Sequence, residues 1–347
     1  MVSSKFFQNV KEEQILTSYN FARNSDFIYS EELTHQQYSK IKNENHVIVT
    51  NDYRIIYINP HIELKENSVI FCHTNFIKYL FESLEKCINL KNLKLITHQT
   101  DIPIDKKIYS LKPDCISEWY SINIQHSSPS LKPIPLGLSN NYSPKNLFFK
   151  DYKKKDLKNE KKINLIYTNF SENTNSKIRT PIVKHAKRNE NFYVEEKKID
   201  LDKYLDQLIS FQYVICPEGN GIDTHRVWET LYSGSIPIVK EHPTFRTLDN
   251  LPAFVLEDFM NVSVDELEIK KSNFQDFNFN KLKIEYWLNK IRSKNINSNE
   301  VFKFIEKKEK TISNIKTYKS RIKFQRNLKK IRYYFSFSKK LSKMFKL

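Results

Sequence analysis

Apolar residues fall in short runs cut by polar turns along the first half of the chain. His46-Val47-Ile48-Val49-Thr50, Arg54-Ile55-Ile56-Tyr57-Ile58, Ser68-Val69-Ile70-Phe71 and Leu93-Lys94-Leu95-Ile96-Thr97 are rich in β-branched and aromatic residues, so each predicts a strand. Between the last two, Phe76, Tyr79, Leu80 and Leu84 repeat with helical spacing, which predicts a β-α-β unit. Residues 150–162 are nearly all charged or polar and mark a boundary between two folded halves. The pattern then restarts, with strands over 163–167, 192–194, 213–216 and 236–239 and a helix over about 177–187. Strands alternating with helices predict an α/β fold of two doubly wound, Rossmann-like domains, 1–155 and 156–310, followed by a tail over 311–347. No short-period repeat is visible, which sets solenoids and propellers aside.

Charge changes the picture at the carboxyl end. The 347 residues carry 57 Lys and Arg against 40 Asp and Glu, a net +17. Beyond Lys310 there are 12 basic residues and no acidic one, so the remainder holds only 17 − 12 = +5. Within this tail Phe324, Leu328, Ile331 and Phe335 recur at i, i+4, i+7 and i+11, and Leu341 with Phe345 continue a second stripe. A helix with one apolar and one cationic face suits an anionic membrane surface, which attracts each basic residue by roughly 1 kcal/mol. A terminal helix docked on the core fits the same pattern. Nucleic acid is the less favoured partner, because the body has no concentrated basic and aromatic module.

Four cysteines, Cys72, Cys87, Cys115 and Cys216, are scattered without a C-x-x-C pair, which supports neither a zinc ribbon nor a disulfide framework. The amino-terminal residues lack the apolar core of a signal peptide, and no window approaches eighteen uncharged apolar residues. The expected location is therefore cytoplasmic, with peripheral attachment at the cytoplasmic face of a membrane through the tail.

The chemistry concentrates where glycine does. Of four glycines, Gly219, Gly221 and Gly234 fall within sixteen residues. The segment from Phe211 to Val239 reads as strand, tight loop, helix, glycine cap and strand. Glycine permits positive φ and close approach to a ligand, and Asp223 or Thr224 can cap the helix that follows. Amide groups exposed at such a helix start form an anion site. His225 and Arg226 lie in the first turn, where the macrodipole disfavours cations unless an anion is bound. Arg226, Glu229, Thr230 and Ser233 share one helix face, so Glu229 sits a turn deeper and can accept hydrogen bonds from ribose hydroxyls. A capped amphipathic helix with an Arg226–Glu229 or Arg226–Glu218 ion pair would give the same spacing.

Other nucleotide motifs fit this loop less well. There is no G-x-x-x-x-G-K-[ST], so a P-loop ATPase is unsupported. Gly219-Asn220-Gly221-Ile222-Asp223-Thr224 imitates a dinucleotide fingerprint, with Glu241 twenty residues beyond Gly221, but the third glycine is missing. An NAD-dependent oxidoreductase and a basic nucleic-acid-binding protein are the alternatives to the function argued below.

The run Cys216-Pro217-Glu218-Gly219-Asn220-Gly221, then Arg226, Glu229, Leu231, Gly234 and Ile236-Pro237-Ile238-Val239, resembles the carboxy-terminal signature of exostosin-like glycosyltransferases. Leu251-Pro252 and Phe254-Val255-Leu256 extend the likeness, which covers 211–259, 49 of 347 residues. It is also similar, more distantly, to the donor segment of α-1,3-fucosyltransferases. The chain departs from the exostosins in lacking a transmembrane anchor and in carrying Glu218 where an Arg is often found. The resemblance implies a GT-B fold whose two Rossmann-like domains face a cleft, the second holding a nucleotide-sugar donor and the first a glycan or lipid-linked acceptor. The donor set is then Glu218, Gly219, Asn220, Gly221, Asp223, Thr224, His225, Arg226 and Glu229. By matching position, Arg226 would stabilise the departing diphosphate and Glu229 would hold the ribose. The implied role is in surface polysaccharide or glycoconjugate synthesis.

In the first half, Leu95-Ile96-Thr97-His98-Gln99-Thr100-Asp101 places a loop at the carboxyl end of a strand, where a doubly wound sheet binds ligands. Transfer with inversion needs a base at the acceptor hydroxyl, for which Asp101 is the first candidate and His98 the second. Trp119 and Tyr120 can stack on a sugar, and Asn123 can hydrogen-bond it. Asp200-Leu201-Asp202 spells D-x-D, but apolar residues at helical spacing follow it, so an N-cap is the better reading. The expectation is a metal-independent enzyme without a cofactor, in which Arg226 and the helix start stabilise the leaving diphosphate.

Overall fold

The computed structural model describes residues 4–50, 53–140, 146–155, 162–274, 276–292, 300–321, 323–324 and 327–328. Its strands are β1 (Phe27–Leu33), β2 (Val47–Thr50), β3 (Ile55–Ile58), β4 (His61–Lys65), β5 (Val69–His73), β6 (Leu93–His98) and β7 (Ile116–Ser121). They continue as β8 (Leu131–Pro133), β9 (Ile163–Thr168), β10 (Phe192–Val194), β11 (Phe211–Ile215), β12 (Ile236–Lys240), β13 (Phe254–Leu256) and β14 (Val301–Ile305).

Two sheets carry the architecture. The first has seven strands in the order β2-β3-β1-β5-β6-β7-β8, parallel from β1 to β8 with β3 and β2 added antiparallel at one edge. The second has five strands, β10-β9-β11-β12-β13, all parallel. Strands β5, β6 and β11 are buried at every position, as parallel strands covered on both faces must be. The helix Ile77–Leu84 makes the expected crossover from β5 to β6. The mixed α/β class and the parallel sheets therefore follow the sequence pattern.

Side chains alternate across the first sheet into two cores. Leu93, Leu95 and Trp119 join Phe76, Leu80 and Leu84 on one face. Ile96 and Tyr120 face the other way, into a core shared with Val214, Trp228 and Tyr232 of the second half. The far face of the second sheet packs Ile166, Ile182, Tyr213, Ile215 and Ile238.

The chain does not stay in the second half up to residue 310 as expected. Strand β14 pairs antiparallel with β4, from Val301 opposite Lys65 to Ile305 opposite His61. Glu306 follows it into the first domain, where it is buried and accepts from the Tyr29, Ser83 and Thr311 hydroxyls. A helix over 308–321 then lies on that domain with Ile315 in its core. The expected boundary fails because β14 alternates along an exposed two-stranded ribbon, which does not read as a core strand. The start of the presumed tail is thus docked, whereas the positions of Ile331, Phe335, Leu341 and Phe345 lie outside the described residues. Among the described residues, no helix is long and apolar enough to cross a membrane.

Candidate functional site

The segments that leave the carboxyl ends of β6 and β11 line one cavity of about 580 Å³. From the first half come His98, Gln99, Thr100 and Asp101, and from the second come Gly219 to Gly221, Asp223 to Arg226 and Glu229. Asp101 and Arg226, from opposite halves, thus line the same space.

The glycines of the loop do not adopt positive φ; among glycines that conformation belongs to Gly137 and Gly234, the latter closing the helix His225–Tyr232. What Gly219 and Gly221 provide is room. A Cβ at Gly219 would stand 3.1 Å from Arg179 Nη2, and one at Gly221 would stand 2.9 Å from Asn123 Nδ2 and 3.2 Å from Asp101 Oδ1. Gly219 N–H donates to the Gly221 carbonyl at 2.9 Å and tightens the turn.

The helix start is not capped as the sequence suggests. Thr224 occupies the N-cap in extended conformation, but its side chain accepts no cap hydrogen bond, and its Oγ1 is buried without a partner. The Asp223 carboxylate turns instead to Trp228 Nε1 at 2.9 and 3.0 Å and to the Leu136 N–H at 3.0 Å. Its own N–H donates to Asn123 Oδ1 at 2.8 Å, so Asp223 clasps the two halves together. Burial pushes its pKa up to about 7, against these hydrogen bonds. His225 adds a further tie through Nδ1 and the Gly137 carbonyl, 2.8 Å apart.

Two guanidinium groups share the cavity. Arg226 Nη1 donates to the Tyr204 hydroxyl at 3.2 Å. Arg179, on the helix Ser176–Ala186, donates to the carbonyls of Glu218 at 2.9 Å, Ser171 at 3.0 Å and Pro217 at 3.2 Å. Both lie against the Phe170 ring, at 5.1 Å for Arg179 and 5.9 Å for Arg226. Every one of these hydrogen-bond partners is neutral, and among the described residues the alternative, an ion pair of Arg226 with Glu229 or Glu218, does not form. Burial, with repulsion from Arg226, pulls the Arg179 pKa down to about 10. Burial also opposes the charge of Arg226, but Tyr204, Cys216 and Glu229 around it hold its pKa above the ordinary value. Arg179 is a buried cation without a carboxylate partner, which is costly, and Arg226 beside it is half-buried; both stand by the amino end of a helix, where an anion is favoured.

Glu229 is buried deeper, as its helical spacing predicts. Its Oε2 accepts the Tyr204 hydroxyl at 3.0 Å and its Oε1 faces the Leu147 N–H at 3.4 Å. A carboxylate has about four acceptor sites, so it can take further hydroxyl donors from the cavity it lines.

The opposite wall carries Gln99 in the left-handed region, with φ of 70°, and Asn123 behind it has φ of 54°. Gln99 is held by the Glu32 backbone, accepting its N–H at 2.8 Å and donating to its carbonyl at 2.9 Å. Its turn brings Asp101 to the cavity.

Four expected roles need correction. Trp119 and Tyr120 cannot stack on a sugar, because β7 buries them on opposite faces of the sheet; Trp119 Nε1 donates to Thr97 Oγ1 at 2.8 Å. His98 touches the cavity but is unsuited as a base: Nδ1 accepts the Gln99 N–H at 2.8 Å, Nε2 faces the Pro135 carbonyl at 3.4 Å, and burial pushes its pKa down to about 3. Glu218 serves through its backbone carbonyl, and its side chain is not part of the cavity wall. Asn123 is buried between the halves, bonded to Asp223 and to the Thr100 carbonyl at 3.4 Å, and so joins the two loops rather than lining the cavity.

Asp200, of the D-x-D segment, caps the next helix by accepting the Lys203 N–H at 2.8 Å. Among the described residues, no group of three His, Cys, Asp or Glu is arranged to hold a metal ion. Sequence reasoning missed Arg179, whose partners are carbonyls of a loop 38 and 39 residues away, and did not single out Tyr204. Neither a family model nor a curated protein sequence matches this chain.

Proposed function

We propose that the chain is a glycosyltransferase of the GT-B architecture, exostosin-like in its donor segment, that moves a sugar from a nucleoside diphosphate to a hydroxyl-bearing acceptor. The observation that carries this reading is the pair Arg179 and Arg226: one buried and one half-buried guanidinium group whose hydrogen-bond partners are all neutral, beside a helix start without a side-chain cap, in a cavity lined from both halves. A diphosphate brings negative charge to the pair and accepts charge-assisted hydrogen bonds from both.

In this reading Glu229, oriented by Tyr204, accepts the ribose hydroxyls, and the sugar extends toward Asp101 across the cavity. The acceptor oxygen attacks the anomeric carbon and passes its proton to Asp101. The bond from that carbon to the diphosphate breaks, and its electron pair leaves on the diphosphate. Arg179 and Arg226 stabilise the charge that develops there. An in-line attack of this kind inverts the anomeric centre. We place the reaction at the cytoplasmic face of a membrane.

The test is turnover. Incubating the purified chain with UDP-, GDP- and dTDP-sugars should release the nucleoside diphosphate from one of them, and Arg226→Gln should abolish the release. Folded protein that releases none from any donor, with or without added glycan acceptors, overturns the proposal.

A further inference from the structure

The helix over 308–321 is laid along the helix Ile77–Leu84 in the opposite direction. The Lys310 ammonium pairs with Glu82 at 2.9 Å, the Tyr318 ring lies 5.0 Å from that of Phe76, and Arg321 donates to Asn75. Asn75 follows the carboxyl end of β5, so the helix points its own carboxyl end toward the edge of the first sheet from which His98 to Asp101 reach the cavity. Tyr318 meets His73 edge-on at 6.5 Å, and His73 is the strand partner of His98, which lines the cavity.

One face of this helix is committed to the domain through Thr311, Asn314, Ile315 and Tyr318. The other carries Lys316, Lys319 and Lys323, all exposed. Beyond the contact of Arg321 with Asn75, Phe324 is 63% exposed and Leu328 36% exposed, four residues apart. The sequence from 324 onward adds eight more basic residues and no acidic one.

We infer that the carboxyl end of this helix is a docking surface for an anionic lipid bilayer, which holds the mouth of the cavity at the membrane. Charge complementarity selects the partner. Cations flank two exposed apolar side chains with no intervening carboxylate, which suits lipid phosphates above an acyl boundary. A nucleic acid would satisfy the cations but leave Phe324 and Leu328 in water. One consequence rests on the proposed glycosyl transfer: the acceptor is carried by a lipid anchor, with its hydroxyl presented from the bilayer.

The experiment is co-sedimentation of the full chain with vesicles of phosphatidylcholine alone and of phosphatidylcholine mixed with phosphatidylglycerol, alongside titration with a single-stranded RNA oligonucleotide. Binding to the anionic vesicles only, weakened by added salt, is expected. Each removed cation should weaken it by roughly fivefold, so Lys316→Gln, Lys319→Gln and Lys323→Gln together should cost about a hundredfold. Phe324→Ser with Leu328→Ser should lower binding that survives high salt. These side chains are exposed, so the variants should keep the wild-type melting curve and the wild-type affinity for nucleoside diphosphate. Equal binding to both vesicles, binding to RNA but to neither vesicle, or undiminished binding by the triple variant overturns the inference. Nucleotide binding is read separately, so its loss would strike the proposed reaction and leave the membrane surface standing.

Discussion

The two loop glycines make different contacts, and replacing each with alanine should separate two properties of the site. At Gly221 the added methyl would meet Asn123 Nδ2 at 2.9 Å and Asn123 Oδ1 at 3.3 Å. Asn123 cannot swing aside freely, because it holds φ at 54° and its carbonyl oxygen Oδ1 accepts the Asp223 N–H. The clash must therefore open the two halves by a few tenths of an ångström. Overpacking of this kind costs about 1–3 kcal/mol, which lowers the melting temperature by a few degrees. The same displacement moves Asp101 relative to Arg226, and a misplacement of about 1 Å can cost a hundredfold in rate. Gly219→Ala instead presses on Arg179 Nη2 at 3.1 Å and should weaken nucleoside diphosphate binding several-fold with a smaller change in melting temperature. Differential scanning calorimetry and titration calorimetry on both variants measure the two effects. Wild-type melting and turnover in Gly221→Ala, or a larger melting shift in Gly219→Ala than in Gly221→Ala, would refute this account of the loop.

Other outcomes follow from the same geometry. Asp223 has a pKa raised to about 7 in the fold against 3.8 for an ordinary aspartate, so the stability it contributes is complete below about 3.8 and is lost as pH rises toward 7. Thermal melts should therefore show wild type losing ground to Asp223→Asn across that window; a pH-independent difference contradicts the assignment. Tyr204→Phe removes the hydroxyl between Arg226 and Glu229 and should cost about 1–3 kcal/mol of stability along with nucleotide affinity, as denaturant unfolding and titration would show. Asp101→Asn should lower turnover by about 10²–10⁴ with little effect on nucleotide binding, whereas His98, neutral down to about pH 3, should contribute no step near pH 6.5 to the rate profile. Glu306→Gln loosens a carboxylate shared by three hydroxyls and should expose the junction before the 308–321 helix to limited proteolysis, with no change in nucleotide binding.

Much of the framework is legible in the sequence because parallel strands buried on both faces are mostly apolar. That is why β5, β6, β11 and β12 stand out. Strand β1 escapes the same reading because Glu31 and Glu32 interrupt it, Glu31 being accommodated by Arg23 and Tyr57 and Glu32 by Arg54 and His73. Trp119 and Tyr120 mislead for the opposite reason. Beside polar Ser121 they look like a surface pair, yet strand alternation sends one into each core. The loop glycines locate the cavity, but their purpose is readable only from atoms brought in by distant segments, Asn123 for Gly221 and Arg179 for Gly219. Arg179 itself leaves no local signal, since nothing in its helix shows that the loop carbonyls of Pro217 and Glu218 will fix its guanidinium.

The central claim is that Arg179 and Arg226 together bind a diphosphate. Titration calorimetry of UDP and GDP against UMP and GMP, with the wild-type chain and with Arg179→Gln combined with Arg226→Gln, addresses it directly. The account predicts that one diphosphate binds at least tenfold more tightly than its monophosphate and that the double variant erases the preference while still melting cooperatively. Equal affinity for mono- and diphosphate, or an unchanged preference in the double variant, would contradict it.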